Sequence, residues 1–319
     1  MSTRRQEGMG TTVFARQQIR ESWWRAALIV AAVGVVTLAG CAKNTEGTAG
    51  SGTTASSTAV TPKKVDDISA TLPEDILSAG TLVVGVNLPY APNEFKDSEG
   101  KIVGFDVDLM NAVAAVLGVT VDYRESDFAK IIPEIDGGVY DVGMSSFTDT
   151  KEREKQVDFV TYFSAGTQWA QRPGEPVDPD NACGKKIAVQ ATTIQETDEL
   201  PAKSKACVDA GKPEVQILKF DGQDAATNAV VLGQADGMSA DSPVTAYAIK
   251  QSGGKLEAAG EIFDSAPYGW PVKKNSILAQ SLRKALEHLI ETGDYKTIAT
   301  NWGVQAGMID TPVINGAVS

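Results

Sequence analysis

The chain has one histidine, His288, and three cysteines in 319 residues. A single histidine excludes His-rich metal sites. Three cysteines cannot supply the four thiolates of a zinc ribbon or an iron–sulfur cluster. Positive charge is scarce: 29 Lys and Arg stand against 41 Asp and Glu, for a formal net charge of −12. Nucleic-acid binding needs a basic footprint, so this balance argues against it. There is no Walker-type phosphate loop, no G-x-G-x-x-G after a strand, no H-E-x-x-H and no G-x-S-x-G. His288 falls on the charged side of an expected helix over 277–292, which suits a surface residue and not a Ser–His–Asp hydrolase. The hydrophobic fraction, 42%, is too high for a disordered chain and too low for a protein of many membrane spans. The length suggests about two domains.

Composition changes along the chain. Arg16, Arg20 and Arg25 precede an apolar run from Ala26 to Leu38. At thirteen residues the run falls short of the roughly 20 that span a bilayer as a helix. Basic, apolar and then small residues are the order of a secretory signal peptide, expected over 1–40. The string Leu38-Ala39-Gly40-Cys41 resembles the lipobox of bacterial lipoproteins, which implies lipidation of Cys41. Sixteen of the twenty residues in 42–61 are Thr, Ser, Gly or Ala, so 41–65 reads as an anchor and a flexible tether. Cys183 and Cys207 then remain in an oxidising compartment, and two cysteines allow one pairing. A disulfide between them is expected; two free buried thiols are the alternative.

From Asp66 onward short apolar runs alternate with helical periods. Strands are expected at 81–87, 119–123, 141–145, 186–190, 215–220, 237–240 and 269–273. Helices are expected at 105–117, 128–135, 194–208, 225–233, 244–251, 277–292 and 295–301. This alternation predicts an α/β protein with mostly parallel sheets. It restarts near 173, which points to two similar lobes.

Several strings, in order, resemble the bacterial solute-binding proteins, family 3, which serve polar amino acid importers of the ABC class. They include Gly104-Phe105-Asp106-Val107-Asp108-Leu109, Tyr90-Ala91-Pro92, Thr150-Lys151-Glu152-Arg153, Ala235-Asp236-Gly237 with Asp241, and Asn301-Trp302-Gly303. The resemblance runs over most of 80–303. It implies a two-lobe, type II periplasmic-binding-protein-like fold joined by a two-strand hinge. Lobe 1 is expected as 66–167 plus 269–319, and lobe 2 as 168–268.

The resemblance also implies a ligand set. Arg153 corresponds to the carboxylate-binding arginine, a role that suits the guanidinium fork. Asp241 corresponds to the acid that receives the ligand ammonium; a cap for the helix from Ser242-Pro243 is the alternative. Ser146 and Thr148 match positions that contact the ligand backbone. Thr192 and Thr193, after Gln190 at a strand end, match a helix N-terminus that meets the carboxylate. Tyr90 and Phe128 match aromatic positions around the ligand side chain. Asn87 stands where binders of basic amino acids often carry Asp, which leans the expectation toward a neutral polar ligand such as glutamine. The expected partners are an amino acid, an ABC permease and, through Cys41, the membrane. No cofactor, metal or nucleic acid is implied, and a monomer is expected. Crossovers between lobes are expected near 166–171 and 266–271, so Trp169 and Trp270 would report hinge closure. Two other functions remain open: a cyclohexadienyl dehydratase-like enzyme with Glu94 as general acid, and a ligand sensor for a separate partner.

Overall fold

A computed structural model describes residues 60–318. The expected signal peptide and the lipidated Cys41 lie outside the described residues. So does most of the expected tether. Its end, however, belongs to the folded body: Val60 and Val65 pack on the core, and the Val65 N–H donates to the Val116 carbonyl at 2.9 Å.

Ten strands form among the described residues: β1 (Thr81–Val86), β2 (Phe95–Lys96), β3 (Ile102–Val103), β4 (Thr120–Glu125), β5 (Val142–Gly143), β6 (Val157–Gln171), β7 (Lys186–Gln190), β8 (Gln216–Phe220), β9 (Gly237–Asp241) and β10 (Glu257–Lys273). Eight of them run in the order β4-β1-β5-β10-β6-β9-β7-β8, and β2 and β3 make a separate hairpin. β1 lies parallel to β4 and β5, and β7 lies parallel to β8 and β9. These are the two parallel halves. Between them β6 and β10 run antiparallel along nearly their whole length.

The halves have separate cores. In the first, Leu82, Val84 and Val86 of β1 meet Leu109, Val113 and Val116 of the Phe105–Leu117 helix, all fully buried. That helix follows the apolar period of its sequence, and Gly118 ends it in a left-handed conformation. In the second, Trp169, Ile187, Val189 and Leu200 form one cluster, and Ala188, Ala226, Val230 and Met238 another. Cys183 and Cys207 are joined, with Cα atoms 5.5 Å apart.

Three expectations need revision. The last strand, expected at 269–273, begins twelve residues earlier at Glu257. The segment expected only as a crossover near 166–171 belongs to β6, a fifteen-residue strand. The expected 194–208 helix divides into a π-helical turn, Gln195–Glu199, and an α-helix, Leu200–Asp209.

Candidate functional site

A narrow pocket lies between the two halves. Its walls come from the carboxyl ends of parallel strands, where open α/β sheets place ligands. Asn87 follows β1, Ser145 and Ser146 follow β5, Gln190 ends β7 and Asp241 ends β9. Tyr90, Phe128, Thr148, Arg153 and Thr193 complete the part of the lining expected from sequence.

Arg153 opens a short 3-10 turn, Arg153–Lys155. Its Nη1 donates to the Thr148 carbonyl at 2.8 Å, and its Nη2 reaches across the cleft to the Thr192 carbonyl at 3.0 Å. The guanidinium lies 5.7 Å from the Phe128 ring centre and 5.6 Å from that of Phe147. These rings are themselves stacked at 4.4 Å. Burial lowers the Arg153 pKa to about 10, so the group remains a cation at neutral pH.

Asp241 sits at the N-cap of the Ser242–Gln251 helix, but its side chain makes no capping bond. The carboxylate instead accepts from Tyr90 Oη (2.7 Å), Tyr268 Oη (2.7 Å) and Gln195 Nε2 (2.8 Å). Burial raises its pKa, opposed by these three donors and by Arg153. The helix-cap reading therefore fails, and the acid faces the pocket.

The two threonines behave differently. The Thr193 hydroxyl donates to the Gln190 carbonyl at 2.8 Å. It also accepts from the Glu196 N–H at 3.4 Å, as an N-capping residue does. Thr192 is exposed, has φ of 64°, turns its hydroxyl to the Ala191 carbonyl and is absent from the pocket lining. Its contribution is the carbonyl that Arg153 reaches. Opposite, Gln190 Nε2 donates to Asn87 Oδ1 at 2.8 Å, a further contact across the cleft.

Beneath this floor lies a buried acidic pair. Glu94 and Asp106 are both fully buried. Glu94 accepts from the Ser145 hydroxyl at 3.1 Å. Asp106 accepts from Tyr162 Oη at 2.5 Å and from the Ser146 hydroxyl at 3.2 Å. Ser146 holds this position with φ of 49°, a strained conformation for a non-glycine residue. Burial raises the Asp106 pKa to about 6. Burial, and then the charge of Asp106, raises that of Glu94 well above the carboxylate range. Glu94 is thus one hydroxyl removed from the pocket and does not line it.

Ser145, Ile194 and Gln195 also line the pocket, beyond the residues expected from sequence. Ser145 is adjacent to Ser146 at the same strand end, a signal that was available. Gln195 is brought to Asp241 by the π-helical turn, which changes the phase of the side chains and leaves no periodic trace.

A family model described as bacterial extracellular solute-binding proteins, family 3, matches residues 82–305. The arginine-binding protein ArgT of Corynebacterium glutamicum is 40% identical over 293 residues, covering 90% of this chain and 95% of that protein. An ancestral arginine-binding protein bound to arginine has a TM-score of 0.64 at 37% identity, covering 70% of this chain and 98% of that one. Its glutamine-bound structure gives the same values. An ancestral amino acid-binding protein described as a precursor of cyclohexadienyl dehydratase has a TM-score of 0.62 at 31% identity, covering 72% of this chain and 98% of that one. The pocket between two α/β lobes and the match over most of the folded body agree: this chain belongs to the bacterial extracellular solute-binding proteins, family 3, with their type II periplasmic-binding-protein fold.

Proposed function

We propose that this protein captures a free amino acid outside the cytoplasm and delivers it to an ABC permease, and that arginine is the ligand. One observation carries the reading: Arg153 from one lobe and Asp241 from the other line the same pocket. An α-amino acid carries a carboxylate and an ammonium on one carbon. Arg153 offers a fork to the first, and Asp241 an acceptor to the second. Ser146, Thr148 and Thr193 surround the ligand backbone, and Tyr90 and Phe128 its side chain. With lobe 1 taken as 66–167 plus 269–319 and lobe 2 as 168–268, the hinge lies in β6 and β10.

The arginine assignment rests on relatives. The relative ArgT and the ancestral protein are both named for arginine. Glutamine is the second reading, favoured by the neutral Asn87–Gln190 pair. The enzyme reading loses its acid, because Glu94 is screened from the pocket by Ser145 and Ser146.

The test is calorimetric titration of the full chain with L-arginine, L-lysine and L-glutamine. Arginine is expected to bind tightest. Tighter glutamine binding would establish the second reading, and no response to any of the twenty amino acids would end the transport reading. Lipidation of Cys41 after removal of 1–40 is part of the same proposal, read out by the mass of the mature N-terminal peptide. A monomer is expected by light scattering. Among the described residues no helix is long and apolar enough to cross a membrane.

A further inference from the structure

The family match ends at residue 305, but the ordered chain continues and turns back over the lobe that carries Arg153. β6 has β10 along one edge. On its other edge β9 covers only Thr167–Gln171. The edge over 158–161 is therefore left open by the sheet, and the C-terminal segment fills it. The Thr161 N–H donates to the Val313 carbonyl at 2.9 Å, and the Val313 N–H donates back to the Thr161 hydroxyl at 2.9 Å. Val160 bridges Ile314 in antiparallel sense. Asn315 then exchanges two bonds with Phe159, its N–H to the carbonyl and its Oδ1 from the N–H, each 2.9 Å. Its Nδ2 donates to Asp158 Oδ1 at 2.9 Å. An unpaired strand edge accepts an added strand in this way.

The last two contacts leave the sheet. The Gly316 N–H donates to Asp149 Oδ2 at 2.7 Å, and the Ala317 N–H donates to Glu154 Oε1 at 3.1 Å. Asp149 and Glu154 flank Arg153 on either side. Asp149 is fully buried, and its other oxygen has no partner. The tail thus holds the segment that carries the guanidinium four residues before Arg153 and one residue after it. Close packing allows it little play: a Cβ on Gly316 would lie 2.7 Å from Val313 Cγ2 and 2.8 Å from Thr161 Cγ2.

We propose that residues 313–317 are a positioning element for Arg153, an added edge strand whose final N–H groups clamp the 149–155 segment in the geometry that receives a ligand carboxylate. The proposal rests on the ligand role given to Arg153 above. It assigns a function in binding to a segment beyond the family's matched core. Without the clamp, Asp149 loses the Gly316 N–H and Glu154 keeps only its ion pair with Lys151, and the segment samples other arrangements. The affinity of the site then falls by the fraction of time Arg153 is out of place.

The test compares the full chain with a chain ending at Pro312 and with Asn315→Ala. L-arginine and L-glutamine are titrated calorimetrically, and amide exchange over 149–155 is followed without ligand. Truncation is expected to weaken binding of the tighter ligand at least tenfold and to speed exchange over 149–155, with β7 and β8 unchanged. Asn315→Ala, which removes the side-chain bonds to Phe159 and Asp158 at a position with φ of 58°, is expected to show the same pattern at smaller size, with a thermal melt confirming that the variant is folded. In an Arg153→Lys background, truncation is expected to change the residual affinity less than threefold. A tail that only stabilises the fold would lower the melting temperature and leave affinity within threefold of the full chain; that result overturns the proposal. If the full chain binds no amino acid, the functional reading fails separately, and unchanged exchange over 149–155 would then overturn the clamp as well.

Discussion

Replacing Asp241 by asparagine separates binding from folding. The carboxylate accepts three donors: two tyrosine hydroxyls on Oδ2 and the Gln195 amide on Oδ1. Two carboxylate oxygens offer about four lone-pair sites, so Oδ1 retains room for a ligand ammonium. The Asp241→Asn side chain would keep the shape and one acceptor oxygen. Its new NH2 would face tyrosine hydroxyls that can rotate to accept. Because burial already disfavours the charge, losing it should leave the ligand-free protein within roughly 1 kcal/mol of its original stability. Binding is another matter. Removing one partner of a buried charge pair costs about 2–5 kcal/mol. At about 1.4 kcal/mol per decade, that is a rise in Kd of roughly 30- to 4,000-fold. Calorimetric titration with L-arginine, beside a thermal melt of the ligand-free variant, measures both. A variant that melts normally and binds within threefold of wild type would remove Asp241 from the ligand's ammonium.

Three further outcomes follow from other parts of the molecule. Asp106 and Asp149 are raised to about 6 and about 7, mainly by burial. The folded state therefore binds more protons than the unfolded state from about pH 4 to 7, and stability falls as pH rises through that window. Carboxylates lowered by their partners, such as Asp158, act only below their ordinary range. The ligand-free melting temperature should thus be higher at pH 5.5 than at pH 7.5, and a flat or opposite slope refutes this. Breaking the disulfide with Cys183→Ser and Cys207→Ser, 24 residues apart, should cost about 3 kcal/mol. For a body of this size the melting temperature should fall by roughly 6–12 °C; a change under 2 °C would show the link to be dispensable. Gly104 has φ of 144°, and a Cβ there would lie 2.0 Å from the Asn93 carbonyl oxygen. Gly104→Ala must therefore displace the turn that holds Asn93 and Glu94, with backbone strain of about 1–3 kcal/mol added. Unchanged stability by urea denaturation would contradict the geometry.

Legibility in the sequence depends on local signals. The 105–117 helix is legible because apolar residues recur at helical spacing and glycines flank it. β6 is not, because nearly every side chain from Val157 to Gln171 is buried. A strand covered on both faces shows no alternation. The first two-thirds of β10 are obscured by Gly260, Asp264 and Pro267, residues that ordinarily break strands. Here they fall in or beside stretches where its register against β6 shifts. Around the site, residues at strand ends are legible because their strands are. Gln195 and Tyr268 are not, since one depends on a π-helical turn and the other on the hidden half of β10. The acidic pair is visible only as separate residues. Nothing in the sequence spacing brings Glu94 beside Asp106; the β2–β3 hairpin does that.

The interrupted ladder between β6 and β10 has a mechanical consequence. Its irregularities lie at Ala259/Phe263, Phe263/Ala266 and Tyr268/Gly269, while residues 269–273 pair continuously with the start of β6. Two ribbons fixed at both ends and slack in the middle behave as a flexure. They yield about one axis across the ribbons and resist sliding along them. With the hinge in β6 and β10 as proposed, relative motion of the lobes would be confined to a single bending coordinate, concentrated where few ladder bonds exist to be strained. Along that coordinate Arg153 and Asp241 would approach or separate together. On the ligand roles proposed for them, a solute bearing only one of the two complementary charges would engage one lobe and give the flexure no reason to stay bent.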